Sequence, residues 1–195
     1  MANKIKFGLK NVYYAVATIA ADGTATYADP VRIPGAVNLS MDPQGNQTKF
    51  YADNIVYWTG VANNGYEGDL EIARVPESFE KDVLGVVEDN KHVLVESADA
   101  PTIPFALLFQ FEGDEKAVRH VMYNCTATRP NVEGSTKNEN TEPQTETLSL
   151  TAATVYNSSL AQDIVKARTA DNTDTTTYNG WFESVYQPAA ANSKP

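Results

Sequence analysis

The stretch "PFALLFQFEGDEKAVRHVMYNCTATRP" (104–130) constrains the fold more than any other part of the chain. Successive side chains on an extended backbone point to opposite faces, so Phe105, Leu107, Phe109 and Phe111 all share one face. Gly113-Asp114 then supplies turn residues before a second run, 116–130. The two runs are predicted to be long strands, joined at Gly113-Asp114 and lying at the centre of the core.

The rest of the chain extends this pattern. "VYYAVATIA" (12–20) is rich in β-formers, and 24–42 is a series of short extended pieces punctuated by Pro30, Pro34 and Gly35. "IVYWTGVA" (55–62) and "YEGDLEIA" (66–73) are predicted to form a hairpin across Asn63-Asn64-Gly65. "SLTAATVY" (149–156) and "DIVKARTA" (163–170) add further strands. Two segments break the period. "VPESFEKDVLG" (75–85) has Pro76 at its start, apolar Phe79, Val83 and Leu84 on one side, and Gly85 as a stop, which predicts a short amphipathic helix. Tyr178, Trp181, Phe182, Val185 and Tyr186 recur at helical spacing over 177–186, ended by Pro188, and are expected to pack on the chain's own sheet. The architecture that fits is a single mainly β domain over 1–188, an antiparallel β-sandwich or open barrel with one or two peripheral short helices. Residues 41–54 are expected to be a turn-rich connection, 131–147 an exposed arm or hairpin tip, and 189–195 a flexible tail.

The formal charge of −10 argues against binding nucleic acid through its phosphates, which needs a basic footprint. Cys125 is the only cysteine, so no intramolecular disulfide is possible, and a small buried hydrophobe is its expected role. Neither a signal peptide nor a window of 18 apolar residues is visible, and the chain is expected to be soluble and intracellular when made.

Catalytic chemistry finds little support. Glu67, Asp69 and Glu71 share one strand face, and carboxylates two residues apart lie at roughly 6.5–7 Å, a spacing that inverting glycosidases use. A solvated face explains the same row. His92 and His120 are far apart and lack metal-ligand spacing, and "DNTDTTT" (171–177) lacks the glycine and terminal glutamate of a calcium loop. His120 and Cys125 are expected to face opposite sides of their strand. No enzyme activity and no cofactor or metal is expected. A carbohydrate- or receptor-binding module is an alternative, with Tyr57, Trp58 and Tyr66 as its platform, and a glycosidase acting through Glu67 is another.

The motifs "KFGLKNVYYA", "IPGAVNLSMDPQG", "FYADNIVYW", "NNGYEGDLEIA", "HVMYNCTATRP", "EPQTETLSLTA" and "YNGWFESVY", in this order from residue 6 to 188, resemble the major tail proteins of long-tailed, non-contractile bacteriophages. The resemblance implies a structural virion protein, made in the host cytoplasm, whose six-membered rings stack into the tail tube. It further implies an intersubunit β-barrel around the lumen, the tape-measure, tail terminator and distal tail proteins as partners, and DNA only in transit. On that reading Asp53, Glu67, Asp69 and Glu71 are candidates for the lumen wall, and Phe50 and Tyr51 for contacts between stacked rings. Residues 1–10, as an N-terminal arm, and 131–147 become candidates for contacts with neighbouring subunits.

Overall fold

The structure, a computed structural model, describes residues 3–136 and 143–189. Its first seven strands are β1 (Lys6–Ile19), β2 (Ala25–Tyr27), β3 (Val31–Ile33), β4 (Ala36–Pro43), β5 (Gln47–Ala52), β6 (Ile55–Val61) and β7 (Tyr66–Ile72). Helix α1 (Glu77–Asp82) precedes β8 (Val87–Glu88), β9 (Leu94–Val95), β10 (Phe105–Gly113), β11 (Val118–Ala127) and β12 (Glu146–Ala153). The chain continues through β13 (Val155–Asn157), β14 (Gln162–Ile164), β15 (Lys166–Arg168) and α2 (Thr175–Asn179).

The main sheet runs β2-β1-β10-β11-β12-β7-β4, with β3 also on β1 and β15 on β11, and every pairing is antiparallel. The sheet curls around one apolar cluster. Val12 and Tyr14 of β1, Phe105, Leu107 and Phe109 of β10, Leu148 and Leu150 of β12, and Leu70 and Ile72 of β7 all enter it. Leu39 and Met41 of β4 pack on its far side, so β4 approaches β1 without pairing with it and the barrel stays open. The fold is mainly β, an open barrel with two short peripheral helices, as the alternation predicts.

Helix α1 stoppers one end. Phe79, on its single buried turn, meets Tyr14 and Phe105 edge-on at 5.1 and 5.4 Å. The Tyr14 hydroxyl donates to Asp82 at 2.8 Å. A second cluster lies on the outer face of β1, β10 and β11, where Ala15, Ala106, Leu108, Val121 and Tyr123 are covered by Val155, Trp181 and Val185.

Several connections differ from the sequence-based expectation. Strands β6 and β7 do not pair; β6 pairs with β5, and β7 lies between β4 and β12. The hairpin turn is Asp53-Asn54, both at positive φ as a two-residue turn of the primed type requires. Asn63-Asn64-Gly65 instead carries the chain from β6 back to β7. A Cβ at Gly65, whose φ is 98°, would collide with the Ala152 carbonyl oxygen. Residues 41–54 are therefore the end of β4, the strand β5 and its turn rather than a loop. The expected arm 1–10 is also different: residues 6–10 form the start of β1 and pair with β10. Asn3 is tied to the Glu115 and Lys116 backbone. Of the expected arm 131–147, the first six residues lack regular structure, 137–142 lie outside the described residues, and Glu146 and Thr147 belong to β12. The predicted tail falls almost wholly outside the described residues.

The aromatic helix over 177–186 is shorter than its period suggests. Asp174 caps α2 by accepting from the Thr177 N–H at 2.8 Å, and a 3₁₀ turn, Gly180–Phe182, follows where glycine weakens the helix. Its apolar residues still serve one surface. Trp181 and Val185 are buried in the outer cluster, with Phe182 and Tyr186 against it. Among the described residues, no helix is long and apolar enough to cross a membrane.

Because Phe105 joins the inner core to α1, Phe105→Ala is expected to lower the unfolding free energy by about 3–5 kcal/mol, read from the urea midpoint. A loss under 1 kcal/mol would show that the inner core does not depend on this contact.

Candidate functional site

Strand β7 alternates as its sequence predicts. Leu70 and Ile72 are buried and Tyr66 half-buried in the inner core, while Glu67 and Asp69 are exposed and Glu71 half-exposed on the other side. Its neighbours follow the same division. Directly paired residues share a face, so Asn38, Ser40 and Asp42 of β4 stand beside Glu71, Asp69 and Glu67. Thr147, Ser149 and Thr151 of β12 flank the same acids from the other strand. Asp69 accepts from the Ser149 hydroxyl and Glu71 from the Thr145 hydroxyl, each at 2.7 Å.

The outer surface of β4, β7 and β12 is thus a flat panel of short polar and acidic side chains. Among the described residues no lysine or arginine lies on it, and the sheet's second apolar layer, which covers β1, β10 and β11, does not extend over it. Gly68 brings the panel together: a Cβ there would strike the Ser40 carbonyl of β4. Asp53 does not belong to the panel. It sits at the tip of the β5–β6 hairpin.

That hairpin is inserted between β4 and β7, the two strands that carry the acids. Phe50, Tyr51, Ile55, Val56, Tyr57, Trp58 and Val61 are all exposed on it, Tyr57 at 70% and Val61 at 79%. Phe50 pairs with Trp58 across the ribbon, and a bulge follows between Phe50 and Tyr51. Two-stranded ribbons without a packed face are marginal in water, and this one leaves its apolar side chains uncovered by the described residues. The hairpin was hidden in the sequence by the more familiar Asn-Gly signal beyond it, although Asp53-Asn54 between alternating apolar residues is itself a hairpin signal.

The platform expected for a carbohydrate is not assembled. Tyr57 and Trp58 are on the hairpin, whereas Tyr66 faces the barrel interior with Lys166 over its ring at 4.2 Å. Tyr178 likewise serves packing, with the Arg119 guanidinium stacked over it at 3.9 Å and Lys116 at 3.8 Å. Tyr13 and Phe182 stack at 5.0 Å, Trp181 and Tyr186 at 5.2 Å, and the Trp181 indole donates to the His120 carbonyl at 3.2 Å.

Cys125 and His120 are brought to the same side of β11, contrary to the sequence expectation. The register passes from Phe105↔Cys125 to Leu107↔Met122, so β11 carries an extra residue and both Met122 and Cys125 turn inward. The pair is still not a nucleophile and base. Cys125 is fully buried, its thiol is pushed up to about 12 by burial, and its weak contact is to the Met122 carbonyl at 3.8 Å. His120 lies flat on Phe109 at 5.0 Å, and burial lowers it to about 4, helped by Arg168, Lys166 and Lys6. Among the described residues no three His, Cys, Asp or Glu side chains are grouped to hold a metal ion. Searches against protein-family models and curated proteins give no match for this chain.

His120 makes stability depend on pH. It stays neutral in the folded chain to about pH 4 but gains its proton near 6.5 when unfolded, so the unfolded state binds more protons between those values. Its contribution is complete above pH 6.5 and is lost as pH falls toward 4. The expected slope from this group is at most about 1.4 kcal/mol per pH unit. His120→Phe, which keeps the stack on Phe109, should flatten the dependence of the urea midpoint on pH between 4.5 and 6.5; an unchanged slope would exclude His120 as its source.

Proposed function

We propose that this chain is a structural subunit of a phage tail tube, assembling with copies of itself into stacked rings. The observation that carries the reading is the insertion of an exposed apolar hairpin between the two acid-bearing strands. A hairpin that gains its buried face from a neighbouring copy brings that copy's acidic panel beside its own. The free edge of β4, which ends the sheet order, favours the same arrangement, because an adjoining sheet would satisfy its unpaired backbone groups. Panels repeated around a ring make an acidic wall, with Glu67, Asp69 and Glu71 facing the lumen. Such a wall gives passing DNA no phosphate contacts to hold it, and its repulsion reaches only about 8 Å at physiological salt. The resemblance of the sequence motifs to major tail proteins agrees with this role, with the tape-measure protein inside the tube and tail terminator and distal tail proteins at its ends.

The purified protein, concentrated and viewed by negative-stain microscopy, is expected to form hollow tubes of uniform width. Phe50→Ser with Trp58→Ser should leave a folded subunit, with an unchanged circular dichroism spectrum, that no longer forms tubes. A wild-type chain that stays monomeric at every concentration, with and without tail partners, would refute the assignment.

For the lumen wall, Glu67→Lys, Asp69→Lys and Glu71→Lys together should preserve assembly, since all three acids lie off the core, and slow DNA ejection several-fold. Tubes that assemble and eject at the wild-type rate would remove these acids from the lumen.

A further inference from the structure

The two ends of the barrel differ in charge and in shape. At one end β7 stops, β10 begins and α1, β8 and β9 cover the opening. Residues 75–100, which form this cover, hold seven acids and two lysines, a net of −5 (2 − 7). The β8–β9 hairpin stands out from it with Val87, Val93 and Val95 exposed beside Glu88 and Asp89. The hairpin is held in shape: Asp89 accepts from the Lys91 and Val93 N–H groups at 2.8 and 2.9 Å, and Glu88 meets Lys81 at 2.8 Å. Arg129, just beyond β11, fastens its base through Glu96 at 2.8 Å.

Among the described residues the opposite end has no comparable cover. There β1 begins, β10 ends, β11 starts and β4 ends, and a cavity of about 300 Å³ opens between β4 and the inner faces of β10 and β11. Its floor is aromatic and apolar: Phe109, Phe111, Tyr66, Leu39 and Met41. Its charged residues are cations. Lys6 lies over the Phe111 ring at 4.7 Å and Lys166 over Tyr66 at 4.2 Å. Both lysines are exposed, and among the described residues neither has a carboxylate within ion-pair distance. The acids beside Lys6 across the sheet are engaged elsewhere, Glu112 by Lys10 at 2.5 Å and Asp114 by the Lys4 N–H at 2.8 Å.

We infer that the well ringed by Lys6 and Lys166 is a socket for the β8–β9 hairpin of a second copy of this chain, which enters by Val93 with Glu88 and Asp89 toward the two lysines. Apolar surface and charge both match: exposed valines meet an aromatic floor, and cations without a carboxylate partner meet acids, with Glu88 shared between Lys81 and His92 of its own subunit and the lysines of the next. Lysines held over aromatic rings are already positioned, so little side-chain freedom is lost when a carboxylate arrives. Plug and socket lie at opposite ends of the subunit. The contact is therefore heterologous and cannot close between two copies, so it propagates head to tail along the barrel axis. This inference rests on the tail-tube reading for its biological setting; the socket lies at the end of the barrel from which the β5–β6 hairpin also springs, but none of its lining residues is on that hairpin.

The test places one cysteine on each surface, Val93→Cys and Met41→Cys, in the full chain; Met41 lines the cavity from β4. Cys125 is fully buried and needs no replacement. Under mild oxidation the double variant should give a ladder of dimers, trimers and higher species on a non-reducing gel, and neither single variant should extend beyond a dimer. Adding Lys6→Glu and Lys166→Glu should reduce the ladder at least tenfold while leaving the urea midpoint within error. A ladder from solid filaments would uphold the socket and refute the tube. Hollow tubes without a ladder would overturn the socket and leave the tube reading standing. A chain that gives neither would overturn both, and a ladder unaffected by the two charge reversals would overturn the role of the lysines.

Discussion

Strand β10 buries both of its faces, and the rest of the molecule is arranged around that demand. Phe105, Leu107 and Phe109 need an enclosed interior, which the curl of the sheet provides by bringing β7 and β4 round to face β1. Ala106 and Leu108 need a second covering layer, which the sheet cannot supply, and the segment from α2 to Tyr186 supplies it. Each large side chain buried in this way contributes roughly 1.5–3 kcal/mol, so neither layer is dispensable. A barrel that curls without closing, and a C-terminal segment that crosses its outer wall, are two answers to one strand's burial.

The same division separates apolar wall from polar wall. Where the outer layer exists, β1, β10 and β11 carry alanine, leucine, valine and tyrosine outward. Where it stops, β12, β7 and β4 carry threonine, serine, asparagine and carboxylates outward. The net charge of −10 is thus not spread evenly. Acids occupy the bare panel and the covered end of the barrel, while Lys6, Lys166 and Arg168 gather around His120 at the open end and add to the burial that keeps its imidazole neutral.

Much of this was legible in the sequence, and the failures have local causes. The alternation of Phe105 to Phe111, and of Tyr66 to Ile72 against the acids, placed each side chain on its proper face because a period of two is fixed by backbone geometry. Pairing is a different matter, since it depends on partners distant in sequence. The Asn63-Asn64-Gly65 signal suggested that β6 and β7 were neighbours, while β7 in fact joins β12, with Glu71 opposite Thr147, 76 residues (147 − 71) further along the chain. The extra residue in β11 was equally hidden: a bulge changes which way His120 and Cys125 relate, yet nothing in "HVMYNCTA" announces it. The helix over 177–186 kept its packing residues and lost its regularity at Gly180, so composition predicted the surface better than the conformation.

The C-terminal cover also sets an order of events during synthesis. Tyr123 and Val121 leave the ribosome well before Trp181 and Val185, the side chains that bury them. At roughly 5–20 residues per second, the gap lasts several seconds, far longer than a small chain needs to collapse. The inner barrel can therefore form while its outer wall is still bare. For that interval the nascent subunit carries an apolar strip that the finished one never shows, and the speed of translation, not of folding, decides how long it lasts.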